Sequence, residues 1–247
     1  MNVQILANKI RTSRYPGADS VIAAGSFIRG DSTSTSDLDL VVLFPHVECA
    51  VRESFVFENL PVEAFIHDAE TLEYFFQSVD RPDGTCTLAQ MVTEGVVLPA
   101  ATPLSTAAKD AAASVIAGGP AQLSDSEVTN RRYAITDLID DLAGDPKREE
   151  MTSIGVRLHT AIADLFLRSR KCWSGEGKWL ARRLVAEDAP FAQRFHSAFE
   201  ELWSSNAPVA VIRVSDEVLG PLGGRLFSGD RREAPASWRT SKISSTD

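Results

Sequence analysis

Two apolar runs dominate the start of the chain, and what lies between them constrains it most. Residues 20–24 run into Gly25-Ser26, and residues 38–44 begin inside the triplet Asp37-Leu38-Asp39. An apolar run that stops at Gly-Ser reads as a buried strand ending in a tight turn. The second run is closed by Pro45 and reads as another strand. Between them lie Gly30, Asp31 and a run of Ser and Thr, so residues 27–36 are expected to be loop. Side chains alternate along a strand, which puts Asp37 and Asp39 on one face within reach of a single ion.

Leu60–His67 is a third expected strand, with Val62, Ala64 and Ile66 alternating against Glu63, Phe65 and His67. Leu72, Phe75 and Phe76 recur at helical spacing, and residues 85–94 and 104–117 also read as helical. Gly118-Gly119-Pro120 is a strong helix stop. Ser124-Asp125-Ser126-Glu127 then forms a capping box, followed by Ile135, Leu138, Ile139 and Leu142 at helical spacing. Further helices are expected from Ser153 to Arg170, from about Lys178, and after Pro190. The expected fold class is therefore α+β. A mixed sheet with helices fills 1–119, an all-α helical bundle fills 120–227, and 228–247 is a disordered tail.

Apolar residues make up 44% of the 247 and charged residues 24%, the balance of a globular chain. The net charge of −9 leaves no dominant basic stripe, so no nucleic-acid partner is expected. An acidic surface suits a small or cationic partner better than a long polyanion. Cys49, Cys86 and Cys172 have neither disulfide-framework nor zinc spacing and read as buried or idle thiols. Met1–Arg14 lacks a leader pattern, and no run reaches the ~18 apolar residues of a membrane helix. The expected location is cytoplasmic, without a membrane.

The chemistry concentrates in the first motif. Two carboxylates on one face suit Mg²⁺ or Mn²⁺, which is held by a few acids plus phosphate oxygens. Gly25 lets backbone approach a phosphate closely. Ser26 offers its hydroxyl and its N–H to the same group. Arg29 adds a permanent cation.

Gly25-Ser26, ten residues, then Asp37-Leu38-Asp39 resembles the signature of the DNA polymerase β-like nucleotidyltransferase superfamily. The flanking Arg29-Gly30 and Ser36 fit the branch of minimal and aminoglycoside nucleotidyltransferases. The resemblance implies a third acid on a neighbouring strand, and Glu63 sits where one is expected, either as general base or as a further metal ligand. It also implies ATP or another NTP as co-substrate and a C-terminal helical domain that completes the pocket.

Other candidates are less specific. Tyr133, Asp137, Asp140 and Asp141 lie opposite the apolar stripe of their helix and form either an acceptor cradle or a solvated acidic face. Lys178, after Gly175-Glu176-Gly177, is either a triphosphate contact or a surface lysine. The fit to a Walker A loop fails on glycine spacing and on the missing Ser or Thr after the lysine. His159 reads as structural or exposed. The partners expected are a nucleotide and a small-molecule acceptor. A protein acceptor, a homodimer and a non-catalytic nucleotide-binding module remain alternatives.

Overall fold

A computed structural model describes residues 2–239. It is α+β, with a five-stranded mixed sheet followed by a helical second half. The strands are β1 (Ser20–Ala24), β2 (Leu38–Leu43), β3 (Val51–Phe57), β4 (Leu60–His67) and β5 (Val96–Leu98), in the order β3-β4-β2-β1-β5. Only β2 and β4 pair in parallel. The other neighbours are antiparallel.

Helix α1 (Val3–Arg14) is capped by Asn2, whose side chain accepts from the N–H groups of Gln4 and Ile5. Its Leu6, Ala7 and Ile10 pack with Leu38, Leu40, Val42, Val62, Ala64 and Ile66 in one apolar cluster. A single turn, α2 (Ser26–Arg29), follows β1 directly. Residues 27–36 are therefore not all loop: Gly25 and Gly30, both at positive φ, bracket one helical turn.

Helix α3 (Ala69–Tyr74) continues through a π-helical stretch, Phe75–Asp80, into the short α4 (Arg81–Asp83). Helices α5 (Thr87–Glu94) and α6 (Pro103–Gly118) follow. Their buried side chains join Leu72, Phe76 and the other parity of the sheet, Ile22, Val41 and Leu43, in a second cluster. Alternation along β2 thus sends Leu38 and Leu40 into one core and leaves Asp39 on the opposite face.

The second half holds α7 (Asp125–Ala143), α8 (Arg148–Ser169), α9 (Lys178–Glu187), α10 (Ala189–Ser205) and α11 (Val209–Leu219). The Ser124 capping box forms as its spacing dictates. Two compact units result. One comprises the residues up to Gln122 together with Leu167–Glu187; the other comprises Leu123–Phe166 and the residues from Asp188 onward. The first break falls beside the Gly118-to-Ser124 linker. Segment 167–187, read from sequence with the helical half, clusters with the sheet instead.

Buried Arg168 ties that segment in, donating to the carbonyls of Pro82 and Ala121. Trp173 is buried with the α5–α6 cluster, and its Nε1 donates to the carbonyl of Ile116 at 3.0 Å. In the second unit Phe166 and Phe191 stack at 3.7 Å between centroids, and Phe195, Phe199 and Leu202 are fully buried with Ile135, Ile139 and Leu142. Each such side chain contributes roughly 1.5–3 kcal/mol on burial. His159 sits half-buried among Phe195, Phe199 and Trp203. Of the expected tail, 228–239 is described and includes one short 3-10 turn, Ala236–Trp238. Residues 240–247 lie outside the described residues. No described helix is long and apolar enough to cross a membrane.

Candidate active site

The parallel pairing of β2 with β4 places Asp39 directly opposite Glu63. Asp37 precedes Asp39 by two residues and so projects from the same face. One carboxylate oxygen from each of Asp37, Asp39 and Glu63 lies within 4.8 Å of the other two. Asp37 is exposed, and the other two are half-buried. On the far side of β2, Ala24 pairs with Asp39, so Gly25 leaves β1 beside the same carboxylate.

Gly25 has φ 74°, and a Cβ there would fall on the Asp39 carboxylate. Only a glycine lets this turn and this acid coexist. The turn after α2 is closed by the N–H of Asp31 donating to the carbonyl of Ser26 at 3.0 Å. Before Asp37, the N–H of Thr33 donates to Ser36 Oγ at 2.9 Å, and the N–H of Ser36 returns to the Thr33 carbonyl at 3.2 Å. These short-range bonds fix the approach to the acids.

Glu63 is anchored from the neighbouring edge strand. Arg52 donates from Nε and Nη2 to Glu63 Oε1, at 2.8 and 2.5 Å. The guanidinium also lies over Phe65, 5.4 Å from the ring centroid. That pair leaves Glu63 oriented at a fixed place beside Asp39.

These residues open into a cleft of about 340 Å³. Gly25, Ser26, Arg29, Asp37, Asp39, Glu63 and Lys178 all line it. So do residues that sequence reasoning passed over, including Thr87 and Gln90 of α5, Ser174, Trp179 and Arg183. Cys86 lines it too and is buried rather than idle. Arg183 Nη2 donates to Cys86 Sγ and to Gln90 Oε1, each at 2.8 Å. Burial pushes the Cys86 thiol up in pKa. The one sequence signal for the 174–183 wall was the Gly175-Glu176-Gly177-Lys178 stretch, and its place was set by long-range packing.

The cleft lining carries both signs of charge, the three carboxylates together with the cations Arg29, Lys178 and Arg183. Burial, followed by the charges of Asp37 and Glu63, pushes Asp39 up to about 6, while Arg29 and Lys178 oppose the shift. Three hard oxygen donors crowded enough to hold back a proton are the donor set a small divalent cation fits.

A pH dependence follows. Below about 6 the proton on Asp39 competes with a cation. Mn²⁺ affinity is expected to level off above pH 6 and to fall about tenfold per unit below it. The sign for stability is opposite. Because the folded-state pKa is raised, protonation favours the cation-free fold as pH falls through about 6 toward 4. His67, lowered to about 4 by burial, works the other way and loses its contribution as pH falls from its ordinary value. Mn²⁺ titrations by electron paramagnetic resonance from pH 5 to 8 check the first expectation. An affinity independent of pH would refute it.

The other sequence candidates lie on α7, in the second unit. Asp137, Asp140 and Asp141 are exposed. Asp140 pairs with Arg225 at 3.3 Å. Tyr133 stacks on Phe227, and Arg232 lies 4.7 Å from its ring centroid.

The arrangement is thus a mixed sheet with a Gly-Ser turn ending one strand, and acids converging at the next strand and at its parallel neighbour. Residues 6–77 match the family model described as "Nucleotidyltransferase domain", so the chain carries such a domain at its N-terminus. A solved nucleotidyltransferase-like protein from Exiguobacterium sibiricum 255-15 is similar over 89% of this chain and 75% of that one, at 13% identity and a TM-score of 0.45. No curated protein matches the sequence.

Proposed function

We propose that the chain is a Mg²⁺- or Mn²⁺-dependent nucleotidyltransferase that moves a nucleoside monophosphate, AMP from ATP, onto a hydroxyl of a small acceptor of the aminoglycoside type. The observation that carries the reading is the convergence of Asp37, Asp39 and Glu63 beside the Gly25-Ser26 turn, in a cleft walled by Arg29, Lys178 and Arg183.

Asp37 and Asp39 are the residues that would hold the cation. When bound, it neutralises charge on the phosphates and orients them. Gly25 and Ser26 present backbone and hydroxyl donors to the β and γ phosphates. Arg29 and Lys178 offset their remaining charge. Glu63, held by Arg52, takes the proton from the acceptor hydroxyl. That oxygen bonds to the α-phosphorus, the bond from the α-phosphorus to the β-bridging oxygen breaks, and pyrophosphate leaves. Most of the acceleration comes from positioning and charge placement.

The test is incubation with [α-³²P]ATP, Mg²⁺ and a panel of aminoglycosides and other polyols, with and without cell extract. Label on a small molecule supports the reading. Label on a protein replaces the acceptor class, and ATP binding without any transfer overturns the catalytic claim.

A further inference from the structure

The cations Lys178 and Arg183 come from a helix more than 150 residues away from the Gly25-Ser26 turn. Something must hold that helix to the loop if the walls are to meet a phosphate. We propose that Asp31, Trp179 and Arg182 form a latch that positions Arg29 and Lys178 for the phosphate end of the nucleotide, an inference that rests on the nucleotidyl-transfer reading.

Arg182 Nη2 of α9 donates to Asp31 Oδ2 at 2.8 Å. Arg29 Nε pairs with the other oxygen, Oδ1, at 3.5 Å. Asp31 is therefore shared between α9 and the last residue of α2. Trp179 completes the clasp: the guanidinium carbons of Arg29 and Arg182 lie 5.0 and 5.1 Å from its ring centroid. Cation–π contact of this kind orients a guanidinium while leaving its N–H edges available. The second anchor of α9 is Arg183 on Cys86 and Gln90 of α5. The Arg182 bond, then the charge of Arg29, holds the Asp31 carboxyl below its ordinary range, so the latch stays charged at neutral pH.

The latch does little for the fold itself. The Arg182 and Asp31 side chains are 44% and 35% exposed. Ion pairs this open contribute little to stability. The Arg29 pairs, to Asp31 and to Glu94, are both 3.5 Å. Charge-assisted bonds ordinarily close to about 2.7–2.9 Å. The guanidinium is thus aimed but loosely held, as suits a group that must turn to a phosphate. Asp31, Trp179 and Arg182 are positioning residues, acting through Arg29 and Lys178.

The experiment measures binding of Mn²⁺ alone, by electron paramagnetic resonance, and of a non-hydrolysable ATP analogue with Mn²⁺, by calorimetry. Asp31→Asn and Arg182→Gln are each expected to weaken the analogue about three- to tenfold, with Mn²⁺ affinity and thermal midpoint unchanged. The double variant should be no weaker than the worse single one, because both remove one interaction. Arg182→Lys should recover part of the loss. Trp179→Leu should match the singles, and Trp179→Phe should fall between it and the parent. The surface pair decides the matter if Trp179→Leu misfolds. Parental analogue affinity in both single variants, or additive losses in the double, overturns the latch. A parent chain that binds no analogue with Mn²⁺ overturns the functional reading itself, and the two failures are told apart by the parent alone.

Discussion

Replacing Asp37 or Asp39 by alanine is expected to abolish Mn²⁺-dependent nucleotide binding and to lower transfer by at least about a thousandfold, the several kcal/mol that a clamped cation supplies to phosphoryl chemistry. Asp37 immediately precedes β2 and Asp39 lies within it, with Glu63 registered against Asp39 from β4 and the three carboxylates converging. No other described group of three or more His, Cys, Asp or Glu residues converges in this way. Stability should move in the other direction. Asp39 is held up to about 6 by burial and by its two acidic neighbours, so its charge is costly to the cation-free fold above that pH. Asp39→Asn at pH 7.5 is therefore expected to unfold no earlier than the parent without metal, and to lose the thermal stabilisation that Mn²⁺ gives the parent. Thermal melts with and without Mn²⁺ separate the two effects. A variant with full transfer would refute the site.

The second large effect is expected at Gly25. Gly25→Ala must adopt φ near 74° and place a Cβ on the Asp39 carboxylate. With ψ at −159° this is a conformation open essentially to glycine alone, and it costs another residue roughly 1–3 kcal/mol. Asp39 must also move from its place opposite Glu63. Transfer is expected to fall about a hundredfold, since a shift of about 1 Å in a positioned group can cost that much in rate. Gly30→Ala is the control. Its backbone is in the left-handed region, φ 80° and ψ 16°, which costs a non-glycine residue roughly 1–2 kcal/mol, and a Cβ there meets nothing within 4 Å. Gly30→Ala should therefore lose less stability in urea melts, and only Gly25→Ala should lose metal and nucleotide together. Equal functional losses would assign the effect to backbone strain and remove the special role of the Gly25–Asp39 contact.

The division between what was legible in sequence and what was not follows the range of the forces. Gly25-Ser26 and Asp37-Leu38-Asp39 lie within one strand–turn–strand unit, so local conformational rules alone put two acids on one face beside a turn. The Ser124 capping box and the Phe191–Phe195–Phe199 stripe were equally readable, because helical spacing is local. Strand β3 was not read: its Val51 and Val56 are exposed at a sheet edge, so burial imposed no clean alternation. Helix α11, Val209–Leu219, was missed because its Val and Ile residues favour strands locally, and packing of Val211, Val214 and Leu219 overrides that preference.

The sequence by itself determined which groups meet at the turn: two carboxylates a residue apart and a glycine that frees the backbone beside them. Tertiary structure decided which residues face it. Glu63 stands against Asp39 only because β2 and β4 pair in parallel at that register, and Arg52 fixes it only from β3. Segment 167–187 joins the sheet because Arg168 and Trp173 are buried against the first unit, which brings Lys178, Trp179, Arg182 and Arg183 to the Gly25 turn. Contacts between residues so far apart in the chain are set by the burial of whole elements, which no short window of sequence encodes.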